Sequence, residues 1–239
     1  MKKLIAGASK LGIELNAKQV EQFELYYREL IDWNGRINLT SITDYSEVQT
    51  KHFLDSLTVA LAFSVEEIAK PEFSIIDVGT GAGFPGVPLK ILFPQPKLVL
   101  LESTTKKTVF LQHLVAKLQL QNVDVINNTA EEAAHLPLYR EQFPLVLSRA
   151  VATLPTLVEL TLPFCRIGGR FIAQKKGQFQ QEIDRAQKAI AILGGKLQGI
   201  KKIELEEFVD PRYLIVIDKI GATPSRYPRR PGIPKRKPI

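Results

Sequence analysis

The chain has 239 residues, 45% of them hydrophobic, enough for one full core and an appendage. Its net charge of +7 is local: residues 219–239 carry seven basic and no acidic residues, leaving 25 of each sign in residues 1–218. No apolar run approaches the ~20 residues that span a bilayer, and the single cysteine, Cys165, excludes an intrachain disulfide, so a cytoplasmic, reducing setting is expected.

The opening Met1-Lys-Lys-Leu-Ile-Ala-Gly-Ala imitates a signal peptide, but its apolar core stops at Ser9-Lys10. Residues 17–34 read as an amphipathic helix with Val20, Phe23, Leu25, Tyr27, Leu30, Ile31 and Trp33 on its apolar face, ending at the turn signal Asn34-Gly35. A second helix is expected from about Ser46 to Ala62, capped by Asp44 or Ser46. It carries His52 and Asp55 three apart on one face, which by itself reads as a helix-surface hydrogen bond. Glu66 to Pro71 reads as the linker into the main domain. From Ser74 the pattern alternates strand and helix, implying a parallel sheet covered on both faces. Strands are expected at 74–78, 98–102, 123–126, 145–148 and 170–174, with helices near 86–92, 105–118, 130–135, 154–164 and 178–193. The runs Ile200–Glu206 and Tyr213–Lys219 are joined too tightly for a crossover and should form an antiparallel hairpin. The basic, proline-rich end is expected to be neither helix nor central strand, and to act as an arm for a polyanion. The chain thus divides at 1–70, 71–220 and 221–239.

The informative stretch is Asp77-Val-Gly79-Thr-Gly81-Ala-Gly83-Phe84-Pro-Gly86, a strand end, a tight turn and a helix start. Gly81-x-Gly83-x-x-Gly86 fits the dinucleotide fingerprint, a weak signal when alone. The acid at the strand's carboxyl end, Asp77, disfavours a nearby pyrophosphate and suits a positively charged ligand. S-adenosylmethionine, with an ammonium, a sulfonium and no phosphate, fits that polarity better than NAD. Glu102, ending the second strand, is placed to accept both hydroxyls of a ribose, a feature shared with NAD enzymes. Ser103 and Thr104 are positioned to cap the helix that follows. Glu131 reads equally as an adenine-reading acid and as a first-turn acid favoured by the helix dipole.

The fourth strand ends Ser148-Arg149-Ala150, where acceptor and methyl group should meet. The Asp/Asn-Pro-Pro-aromatic motif of exocyclic-amine methylation is absent there. Cys165, in Leu-Pro-Phe-Cys-Arg, lies away from any strand terminus and reads as apolar filler, not as a nucleophile for carbon methylation. The remaining acceptor is an atom with a free lone pair, such as a ring nitrogen, whose reaction needs alignment more than a base. Arg149 then recognises a base or phosphate or positions the cofactor; its alternative is a salt-bridged strand-end arginine. The three histidines, 52, 113 and 135, lack ligand spacing, so no metal is expected.

Several stretches together resemble one family, the RsmG/GidB 16S rRNA guanine-N7 methyltransferases. They are Trp33-Asn34-x-x-x-Asn38-Leu39-Thr40, His52-x-x-Asp55-Ser56-Leu57, the glycine stretch extended through Phe84-Pro-Gly-Val-Pro-Leu89, Ser148-Arg149-Ala150, Lys175-Lys-Gly177 and Tyr227-Pro-Arg-Arg-Pro-Gly232. The resemblance implies a class I, Rossmann-like methyltransferase fold with an N-terminal helical extension. It also implies a cytoplasmic enzyme that uses S-adenosylmethionine and acts on N7 of a guanine in a 16S rRNA loop; the expected partner is 16S rRNA, the small ribosomal subunit or its assembly intermediate, and a monomer with no membrane partner is expected. It assigns cofactor contacts to Gly79, Phe84, Glu102, Ser103, Thr104, Ala130, Glu131 and Arg149, beside Asp77, Gly81 and Gly83 from the residue reading. It lifts His52 and Asp55 to the rim of the site or to its support, and supplies no general base. Two rivals are a nicotinamide-dependent oxidoreductase and a non-catalytic RNA-binding or ribosome-assembly factor on the same fold.

Overall fold

The computed structural model describes residues 1–68, 70, 72–177 and 179–239. Ala69 and Pro71 of the expected linker, and Gln178 at the start of an expected helix, lie outside the described residues. The centre is one seven-stranded sheet: β1 (Ser74–Val78), β2 (Lys97–Glu102), β3 (Val123–Asn127), β4 (Phe143–Arg149), β5 (Cys165–Lys176), β6 (Gly195–Ile203) and β7 (Arg212–Lys219). Its order is β3-β2-β1-β4-β5-β7-β6. The first five strands run parallel, and β7 is antiparallel to both β5 and β6. The chain reverses direction across the sheet between β1 and β4, and such a switch point opens a crevice at the strands' carboxyl ends. Both expected runs of the hairpin are strands, each beginning earlier than the alternation indicated.

The pleat sorts the strand residues onto two faces. Ile75, Leu98, Leu100, Leu145 and Leu147 share one core with Phe23, Tyr26, Leu30, Phe53 and Leu57 from the N-terminal helices. Ile76, Val99, Leu101, Val146 and Phe171 pack on the other face under Leu157, Val158, Ile183 and Ile190. A helix at Lys2–Lys10, absent from the expected elements, leans on the segment Gln49–Leu54. The approach needs a glycine, because a Cβ on Gly7 would lie 2.3 Å from Leu54.

The next helix, Ala17–Ile37, opens on a reciprocal capping box between Asn16 and Gln19. It does not stop at Asn34-Gly35. Asn38, at φ 51°, ends it, while the Asn34 side chain turns forward to accept the Thr40 amide at 2.8 Å. Its fully buried positions are Phe23, Tyr26 and Leu30. Asp44 caps the helical run that follows, accepting the Glu47 amide at 2.9 Å. That run is not uniform: Gln49–Leu54 is a π-helical turn and Thr58–Ala62 a 3₁₀ turn. No helix among the described residues is long and apolar enough to cross a membrane.

The basic C-terminal segment is not a free arm. It packs over the face of the Leu154–Thr161 helix, with Tyr227 in the core and a short helix at Ile233–Arg236. Glu159, fully buried, accepts the Arg229 amide and Nε at 2.9 and 2.8 Å on one oxygen and a terminal guanidinium nitrogen at 2.6 Å on the other. Arg140 donates to the carbonyls of Thr223, Pro224 and Tyr227, and His135 Nε2 lies 2.8 Å from that of Pro228. The prolines that bar regular strand leave carbonyls free, and these side chains satisfy them. Charge counting missed this because Glu159 sits alone in an apolar helix and its partner lies 70 residues away.

Replacing Arg229 with Ala should therefore strand a buried carboxylate and lower the unfolding free energy by about 3 kcal/mol, at the low end for buried pairs because Arg229 keeps some exposure. Urea denaturation measures it. A change under about 1 kcal/mol, the range of a surface pair, would show that the tail is not anchored this way.

Candidate active site

The glycine loop after β1 is held from beneath. Asp77 has no exposed surface; one oxygen accepts the Thr80 hydroxyl at 2.7 Å and the Gly86 amide at 2.8 Å, and the other has no partner among the described residues. Burial pushes its carboxyl up to about 6, against the opposing pull of those two hydrogen bonds. The expected direct contact between Asp77 and a ligand is thus corrected. Asp77 faces the core shared with the N-terminal helices and shapes the loop from below.

The glycines divide in role. Gly79, Gly81 and Gly83 all take positive φ, at 70°, 61° and 101°. A Cβ on Gly81 would meet nothing within 4 Å, so this glycine opens onto free space. On Gly83 it would lie 2.7 Å from the Tyr26 hydroxyl, which donates to the Ala82 carbonyl at 2.6 Å. Gly79 is covered by Val151, from the loop after β4, whose Cγ2 would stand 2.6 Å from an added Cβ.

Glu102, buried at the end of β2, faces the same space. One oxygen accepts the Gly81 amide at 3.0 Å and the other the Thr104 amide at 2.8 Å. Each oxygen keeps a second lone pair for a hydroxyl. Thr104 stands at the start of the Thr105–Lys117 helix without a side-chain cap; the Glu102 carboxylate takes its amide instead, and Ser103 is exposed. Ala130 and Glu131 begin the short helix after β3, beside the same crevice, both half-buried.

Arg149 ends β4 next to the loop. Its guanidinium donates to Asp55 Oδ2 at 3.0 Å and lies 4.9 Å over the Phe84 ring. Phe84 also stacks on His52 at 4.5 Å and Tyr26 at 5.2 Å, leaving 5% of it exposed. Phe84 therefore has its main chain, not its ring, to offer a ligand. Arg212, from the start of β7, donates through Nε to Asp55 Oδ1 at 2.9 Å. One carboxylate thus bridges two guanidinium groups.

His52 and Asp55 do not bond each other; both serve Arg149. The second guanidinium nitrogen of Arg149 approaches His52 Nδ1 at 3.4 Å, so Nδ1 is the acceptor and Nε2–H donates to Thr40 Oγ1 at 2.8 Å. Desolvation first, then the Arg149 charge, push the imidazole down to about 3, so it is neutral at pH 7. Both side chains come from the π-helical turn and its end, a form that recurs at functional sites.

The glycine loop, Glu102 and Arg149 lie together in the fold, and His52 and Asp55 both contact Arg149. Arg212, Tyr26 and Gln174, which donates to the Asp55 carbonyl at 2.7 Å, were missed. Tyr26 was legible from the Phe23–Tyr26–Leu30 spacing, three and four apart on one helix face. Nothing in the sequence near Arg212 pairs it with Asp55, 157 residues before it. Cys165 opens β5, at the strand end away from the site, and burial pushes its thiol up to about 12.

A family model described as GidB, rRNA small subunit methyltransferase G, matches residues 19–209. The chain belongs to the GidB family. Proteins called ribosomal RNA small subunit methyltransferase G are 52% identical in Dehalococcoides mccartyi and 48% in Roseiflexus castenholzii, each over the full length of both chains. Another from Brevibacillus brevis is 42% identical over 95% of this chain and 94% of its own. The GidB sheet also superposes on more distant solved structures. A geranyl diphosphate methyltransferase matches at 13% identity with TM-score 0.53, over 76% of this chain and 94% of its own. YcgJ from Bacillus subtilis matches at 13% with TM-score 0.52, over 70% and 99%. These likenesses establish the class I, Rossmann-like fold of this GidB chain, a mostly parallel sheet ending in the β6–β7 hairpin.

Two outcomes test this geometry. Gly81→Ala should fold within ~2 kcal/mol of the parent, the strain of a left-handed residue, yet lose cofactor affinity. Gly83→Ala should lose clearly more stability, since it collides with Tyr26. Equal melting of the two variants would refute the division. The pH test concerns His52, whose folded-state value lies below its unfolded one. The unfolded chain binds the extra proton, so stability should rise with pH between about 3 and 6.5, by at most ~1.4 kcal/mol per unit from this group. His52→Phe should flatten that slope in urea titrations at several pH values; an unchanged slope would show that His52 is not buried neutral.

Proposed function

We propose that the chain transfers a methyl group from S-adenosylmethionine to N7 of a guanine in small-subunit ribosomal RNA. The observation that carries this reading is the open cradle at Gly81 beside the Glu102 carboxylate, in a chain of the GidB family over its whole length. The residues present suit such a cofactor. Glu102 offers lone pairs to ribose hydroxyls, Gly81 admits a ligand against main chain while Gly79 shapes the turn beneath Val151, Ser103 and Thr104 flank the ribose, and Ala130 and Glu131 meet adenine. The carboxylate of Glu131 accepts from the exocyclic amine. When bound, S-adenosylmethionine supplies an electrophilic methyl group on a sulfonium.

The chain's own residues then have an alignment task. His52 is neutral with both nitrogens engaged, and both oxygens of Asp55 are taken by arginines. Neither is free to remove a proton, which accords with a lone-pair acceptor such as N7. Arg149 separates the glycine loop from a cavity of about 1110 Å³ whose lining mixes Lys2, Lys3, Lys51, Lys175, Lys176 and Arg212 with carboxylates, two of which pair Lys51 and Lys175. This cleft is read as the RNA side of the site, its lysines meeting phosphates. An unstacked loop would present N7 there, since the major groove of A-form RNA is closed to side chains.

The test is to incubate purified chain, methyl donor and small-subunit rRNA or subunits, then map methylated positions. Methylation at guanine N7 is expected, and methylation on an exocyclic amine or carbon would overturn the acceptor. Glu102→Gln should weaken donor binding by ~1.5–3 kcal/mol, as for hydrogen bonds to a charged group, read by calorimetry. Unchanged affinity would place the ribose elsewhere.

A further inference from the structure

We propose that the C-terminal segment is a positioning wall of the cofactor site: the Gly232 amide orients the Glu131 carboxylate toward adenine. The inference rests on the cofactor reading above and extends it to residues that reading does not use. Gly232 N donates to Glu131 Oε1 at 3.0 Å. The other oxygen of Glu131 has no hydrogen bond among the described residues and remains free to accept. A half-buried glutamate on a four-residue helix otherwise has many rotamers, and fixing one oxygen selects among them.

The amide is itself held rigidly. On one side Arg229 is bound to the fully buried Glu159 through three hydrogen bonds. On the other, the Thr156 hydroxyl donates to the Pro234 carbonyl at 3.1 Å, inside the buried layer. Gly232 stands between these anchors at φ 80°, and the short Ile233–Arg236 helix begins directly after it. Both anchors rise from the Leu154–Thr161 helix, which follows the Arg149 strand end, so the segment spans from that helix to the loop after β3. An arm evolved only to carry charge has no need of a buried glutamate, a left-handed glycine or an amide aimed at Glu131.

The geometry also supplies a clean perturbation. A Cβ on Gly232 would meet no atom within 4 Å, so Gly232→Val disturbs only the backbone conformation, which a β-branched residue resists at positive φ. It should draw the amide away from Glu131 while Arg229 keeps its anchor.

Calorimetry with S-adenosylhomocysteine and S-inosylhomocysteine, whose purine carries a carbonyl in place of the amine, tests the idea. The full chain should prefer the adenine compound by roughly 10- to 100-fold, the worth of a hydrogen bond to a charged acceptor. Gly232→Val, and a chain ending at Arg230, should each lose most of that preference while still binding the adenine compound, as should Glu131→Gln. Preference lost in Glu131→Gln but intact in both tail variants would overturn the role of the tail and leave the cofactor reading standing. Preference retained in Glu131→Gln would remove Glu131 from the adenine edge, and the inference with it. Failure of the full chain to bind either compound would overturn the cofactor reading itself. If the chain ending at Arg230 does not fold, Gly232→Val decides alone.

Discussion

Asp55 bridging Arg149 and Arg212 is the constraint on which the site depends. Three segments far apart in the chain meet there: the N-terminal helical run, the end of β4 and the start of β7. A carboxylate between two guanidinium groups is stable in a buried setting because each charge has a partner and most donors have acceptors. The joint fixes where the N-terminal helices sit on the sheet. By doing so it places Arg149 beside the glycine loop and leaves a cleft of mixed charge on its other side.

The glycine loop depends on the same packing. Tyr26 enters from the N-terminal helix, donates to the Ala82 carbonyl and stacks on Phe84, while Asp77 ties Thr80 and Gly86 from below. The loop is therefore preformed, and a ligand settling on it has little backbone ordering left to do. The low-dielectric surroundings that raise the Asp77 carboxyl also keep His52 neutral. One consequence is chemical: both ring nitrogens of His52 and both carboxylate oxygens of Asp55 are already engaged, with Thr40, Arg149 and Arg212.

The tail shows how formal charge and local role diverge. Seven basic residues without an acid suggest a loose arm, yet Arg229 is spent on a buried glutamate and the segment completes the apolar layer through Tyr227. Arg226, Arg230, Lys235, Arg236 and Lys237 remain exposed on it. Basic groups on a fixed platform lose less conformational entropy on meeting phosphates than the same groups on a disordered arm.

Local patterns determined much of this protein. The alternation of apolar strands and amphipathic helices determined the sheet and its hairpin end, because side-chain periodicity reports burial directly. The glycines and the flanking Asp77 and Glu102 marked the cradle, because backbone at positive φ and an acid at a strand mouth leave a signature in adjacent residues. What only the tertiary structure decided were the pairings between distant residues. Asp77 proved to lie under the loop, since strand parity alone did not tell which face the N-terminal helices would cover. Phe84 proved enclosed by Tyr26 and His52, and Arg149 proved ion-paired while still facing the site. The partners Arg212–Asp55 and Arg229–Glu159 were invisible in sequence, because a charge carries no local mark of which distant opposite charge it will meet once the chain has folded.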